Sequence, residues 1–110
     1  MDLKGIFNIY FLNYKFNNKQ LNELKLGKTH KVNYFIYAKP ELHYLQMLNI
    51  REGLQNKLDV SWYANPEYDW SQMSEIRRGL EKGLDVSLYL NPGIEWKEME
   101  RIRLELESNE

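Results

Sequence analysis

Gly83-Leu84-Asp85-Val86-Ser87-Leu88-Tyr89-Leu90-Asn91-Pro92 nearly repeats Lys57-Leu58-Asp59-Val60-Ser61-Trp62-Tyr63-Ala64-Asn65-Pro66, which stands 26 residues earlier. A further step of 26 reaches Asn33-Tyr34-Phe35-Ile36-Tyr37-Ala38-Lys39-Pro40. Outward from these stretches other columns fall into the same register. Proline recurs at Pro40, Pro66 and Pro92, Ile-Arg at Ile50-Arg51, Ile76-Arg77 and Ile102-Arg103, and glycine at Gly27, Gly53 and Gly79. Self-similarity at a fixed period marks a repeat architecture, in which one unit buries its apolar face only against the next. The chain therefore reads as a single repeat domain, 1–110, with units at about 7–32, 33–58, 59–84 and 85–110. The first and last units are expected to act as caps. Asn8 stands in a core column, Tyr14 in the proline column, and Glu105 where the other units carry glycine.

Within a unit the pattern predicts a short strand followed by a helix. The strand reading rests on Leu84–Leu90 and its equivalents, bounded by glycine and proline. The helix reading rests on Met47, Ile50 and Leu54, and on Met73, Ile76 and Leu80, all at helical spacing. Asn17 with Gln20, and Asp69 with Gln72, have the spacing of a capping box. Gly83 falls where a helix takes a left-handed cap. A strand–helix unit closing every 26 residues predicts an α/β fold: a short right-handed β/α solenoid of four units, parallel sheet on one side and helices on the other. Alternation then puts Val60, Trp62 and Ala64 toward the helices, and Ser61, Tyr63 and Asn65 on an open sheet face. That face collects Phe11, Tyr37, Tyr63 and Tyr89 in one column, flanked by Phe35, Asn65 and Asn91. It is the expected binding surface. The helical glycines predict a small flank on each helix that receives the bulky flank of its neighbour, Tyr44 with Arg51 or Trp70 with Arg77. The apolar edge Ile6–Leu12 invites pairing with another chain, giving a homodimer.

Bulk properties narrow the classes. Net charge is -1, which gives no basic field for direct nucleic-acid binding. There is no cysteine, so disulfide scaffolds and cysteine-based zinc or redox sites are excluded. No signal peptide or membrane span is evident, and a cytoplasmic, cofactor-free protein is expected. Asp59 and Asp85, one unit apart, are a conceivable carboxylate pair for a small hydrolase. The competing reading makes each a turn cap. His30 and His43 lack metal-ligand spacing, and His43 stands in the helix-start column, so no metal site is expected. Arg51, Arg77 and Arg103, with Lys25, form a basic column that either reads phosphates or pairs along the helix, as Arg77 with Glu81 and Arg103 with Glu107.

The string from Gln72 to Ser87, followed by Tyr89 and Pro92, resembles a tandem repeat found in proteins of Gram-positive bacteria, their phages and their plasmids. The likeness covers at least residues 33–106 and carries no activity of its own. It implies a mobile-element setting. The function expected is therefore a non-enzymatic module, encoded by a phage or other mobile element, that binds a protein through the open sheet face. The alternatives are an anti-CRISPR-type inhibitor of a host defence nuclease and the carboxylate hydrolase.

Overall fold

The helix-forming stretches begin with their caps. The structure is a computed structural model and describes residues 15–109. Asn17 opens α1 (Asn18–Thr29), His43 opens α2 (Tyr44–Gln55), Asp69 opens α3 (Trp70–Glu81) and Glu95 precedes α4 (Trp96–Ser108). In the first three a glutamine three residues on accepts the cap residue's own backbone N–H, closing a capping box. His43 serves through Nδ1, which accepts from Leu45 N–H. Each of the first three helices ends in the same way. The residue two beyond the helix takes a left-handed conformation, at Lys31 (φ 58°), Lys57 (φ 60°) and Gly83 (φ 70°). The next N–H reaches back five residues, as Leu58 N–H does to Gly53 O at 2.9 Å.

No strand occurs among the described residues, so the expected β/α solenoid with its parallel sheet is overturned. Where strands were expected the chain makes single 3-10 turns, Tyr34–Ile36, Val60–Trp62 and Val86–Tyr89. For the second and third turns the reason lies in Asp59 and Asp85; Asn33, ahead of the first, makes no side-chain cap bond. Each carboxylate accepts from the backbone N–H and the hydroxyl of the serine two residues on, which starts a turn. In a 3-10 turn residues three apart eclipse. Val60 and Tyr63 are therefore buried together, while Trp62 between them is 42% exposed. Alternation by two would have placed Val60 and Trp62 on one side. The edge Ile6–Leu12, and with it the expected homodimer contact and Phe11, lies outside the described residues.

The helices stack side by side and parallel. Gln20, near the start of α1, donates Nε2 to Pro40 O and Leu42 O, just ahead of the start of α2. Gln46 does the same to Pro66 and Tyr68, and Gln72 to Pro92 and Ile94. Farther along, Arg51 Nε donates to Glu23 at 2.7 Å and Arg103 Nε to Glu75 at 2.7 Å. Like ends are thus neighbours. The radius of gyration is 15.3 Å, against about 13 Å for a compact chain of this length. The core runs along the stack: Leu24, Met47, Ile50, Met73, Ile76 and Met99 from the helices, Tyr37, Tyr63 and Tyr89 from the return segments, all fully buried.

The helical glycines have a different tenant from the one expected. A Cβ on Gly53 would lie 2.1 Å from the Tyr63 hydroxyl and 2.7 Å from Val60 Cγ1. Gly27 faces Tyr37, and Gly79 faces Tyr89, at 2.0 Å. Each tyrosine folds back under the helix that precedes it and donates to a carbonyl there, Tyr37 to Glu23, Tyr63 to Asn49 and Tyr89 to Glu75. The small flank of each of the first three helices therefore receives the tyrosine of the segment that follows it, not the neighbouring helix's bulky flank.

Candidate functional site

The tyrosine column expected on an open face is interior. Tyr37, Tyr63 and Tyr89 have no exposed surface. Burial pushes the phenol of Tyr89 up to about 12, and those of Tyr37 and Tyr63 are raised by the same cause. These are structural pins that no partner can touch. The remaining expected site residues are exposed but do not converge on a sheet. Phe35 is 53% exposed and stacks on Tyr34, ring centroids 4.9 Å apart. Asn65 and Asn91 each accept from the backbone N–H two residues on, at Glu67 and Gly93, and so hold the turns that follow the 3-10 segments.

The other chemistry candidates resolve into structure. Asp59 and Asp85 are the turn caps already described. Arg77 bonds Glu81 and Arg103 bonds Glu107 along their helices, as expected. Arginines of this column also reach across the stack, Arg51 to Glu23 and Arg103 to Glu75, which the spacing did not suggest. Among the described residues no three metal-ligating side chains come together.

What the surface offers instead is tryptophan. Trp62, Trp70 and Trp96 are 42%, 47% and 38% exposed, and they are all the tryptophans in the chain. Trp70 and Trp96 occupy the first position of α3 and α4. A helical side chain leans toward the N-terminus, over the preceding turn. At the first position there is no preceding turn, so the indole overhangs the helix end. The signal was available in the sequence, because the capping box fixes Trp70 at that position. Trp96 lines a cleft of about 540 Å³ with Glu67, Asp69, Glu95 and Lys97. Asp69 is engaged as the α3 cap. Glu95 stands in the cap column but makes no side-chain cap bond. Lys97 Nζ lies 5.8 Å from the Trp96 ring centroid, within cation–π range. In the first joint the equivalent ring, Tyr44, is covered by Lys19 at 4.8 Å.

The chain matches no protein-family model, no curated protein and no solved structure. Among the described residues no helix is long and apolar enough to cross a membrane.

Proposed function

We propose that this protein is a non-enzymatic repeat module that binds another protein through the edge formed by the helix starts, with Trp70 and Trp96 as its anchors. The exposure of every tryptophan carries the reading. Tryptophan is usually well buried on average, and interface residues that dominate binding are enriched in it. Here the core positions for aromatics are taken by tyrosine, and the indoles stand outside, Trp70 and Trp96 in one column a unit apart. The capping roles of Asp59 and Asp85 support the non-enzymatic reading, since each carboxylate is already engaged in holding its turn.

The test is affinity capture with the full chain and with a Trp70→Ser/Trp96→Ser variant, followed by titration of the purified partner. The expected result is a binding loss of about 30-fold or more, the scale of a hot-spot residue. Equal affinity for both proteins rejects the assignment of this edge.

A further inference from the structure

The opposite edge, where the helices end, holds a second cleft of about 400 Å³ lined by His30, Lys31, Val32, Asn33, Leu54, Gln55 and Lys57. Three basic side chains from two units meet there, with no carboxylate among the lining residues. None of the three is in an ion pair among the described residues.

Lys31 and Lys57 are also the two non-glycine residues with positive φ among the described residues. Their column is the left-handed position that ends each helix, and the third unit fills it with Gly83, which takes the same conformation without strain. A lysine there carries a Cβ that clashes with its own backbone. A cation does stabilise a helix C-terminus, but that service needs no strained residue. Lys28 already stands in the last turn of α1, and Arg78 in the last turn of α3, where Gly83 completes the turn. Strained backbone that carries a charge into a cleft points toward use of that charge.

We propose that this cleft binds a phosphate group, held by the ammonium groups of Lys31 and Lys57 with His30 as a third donor. Lysine is a compact point charge suited to phosphate. The two ammonium groups outweigh the partial negative charge of the α1 and α2 ends, roughly half a unit each, and those carbonyls are turned to their own backbone bonds, as Gly27 O is to Val32 N–H at 3.0 Å. The third unit repeats neither the charge nor the strain, so the site is confined to the first joint.

The test uses the full chain and a Lys31→Gly/Lys57→Gly variant, each titrated at low salt with inorganic pyrophosphate and, separately, with a short single-stranded oligonucleotide. The variant is expected to bind at least tenfold more weakly while melting about 4 °C or more higher, because glycine relieves the strain. Pyrophosphate binding identifies a small phosphate ligand; binding of the oligonucleotide alone identifies a backbone phosphodiester. Binding of neither probe by the wild type, or equal binding by the variant, overturns the proposal. A lower melting temperature in the variant overturns the strain argument on which it rests.

Discussion

The joint between α1 and α2 and the joint between α2 and α3 are built on one plan and differ at the column that receives the arginine. In the first, Arg51 meets Glu23 at 2.7 Å, with both side chains nearly excluded from water. In the second, the acceptor is Asn49, and Arg77 reaches its Oδ1 at 3.1 Å. The lost carboxylate is replaced from two sides, by Glu52 at 3.3 Å and Glu81 at 2.9 Å, both more exposed. The amide also does what a carboxylate cannot: Asn49 Nδ2 donates to Trp70 O at the start of α3. What the joints conserve is an acceptor for the arginine, and charge at that acceptor is dispensable when carboxylates stand nearby. The third joint returns to the charged form, Arg103 with Glu75.

The largest effect that would break this comparison comes from Glu23→Ala. It leaves the Arg51 guanidinium buried without its carboxylate, and a loss of about 3–5 kcal/mol is expected. Asn49→Ala should cost only about 1–2 kcal/mol, since Arg77 keeps Glu52 and Glu81. Urea unfolding of the two variants decides it: equal losses would mean that the joints are not energetically distinct.

Next come Gly53→Ala and Gly79→Ala, which strike the feature that both units share. A methyl 2.1 Å from the Tyr63 hydroxyl, or 2.0 Å from that of Tyr89, forces the ring out of its slot, at about 3 kcal/mol each. Thermal melts of the two should fall together. A tolerated alanine at either position would refute the pinning of that helix by its tyrosine.

The smallest effect at neutral pH, about 1 kcal/mol, is expected for Tyr63→Phe, which forfeits the bond to Asn49 O. Its signature appears in alkali. Burial raises the phenol above its ordinary value of 10.0, so the folded state holds the proton more tightly than the unfolded state. Below about pH 10 the group is protonated in both states and contributes no pH dependence. Above it, stability falls by up to about 1.4 kcal/mol per pH unit for each such tyrosine. Tyr63→Phe should flatten that slope between pH 10 and 11 in urea titrations; an unchanged slope would assign the alkaline loss to other groups.

Much of this was legible in the residues. The 26-residue register, the capping boxes at Asn17 and Asp69, the left-handed turn at Gly83 and the pairing of Arg77 with Glu81 all follow from local chemistry, which sequence displays directly. The return segments were misread because Val-Ser-Trp-Tyr-Ala satisfies two periods at once. Read by twos it pairs Val60 with Trp62, and read by threes it pairs Val60 with Tyr63. The deciding residue is Asp59, whose serine two positions on makes a turn out of an otherwise strand-like run. That choice carried the tyrosines from surface to core and took the expected binding face with them. The match between Gly53 and Tyr63 was hidden for a different reason. It joins positions ten residues apart on two elements, and only the fold sets that distance.

The glutamines give the stack its mode of cooperation. The Oε1 atom of Gln46 closes the start of its own helix, and its Nε2 atom grips the carbonyls of the following unit. One rigid amide therefore serves both as an internal constraint and as the bond between neighbours. In the language of a one-dimensional lattice, the site energy and the nearest-neighbour coupling reside in the same side chain. A unit that frays at its helix start releases its neighbour in the same motion, so disorder entering at one end travels as a moving boundary, one helix at a time.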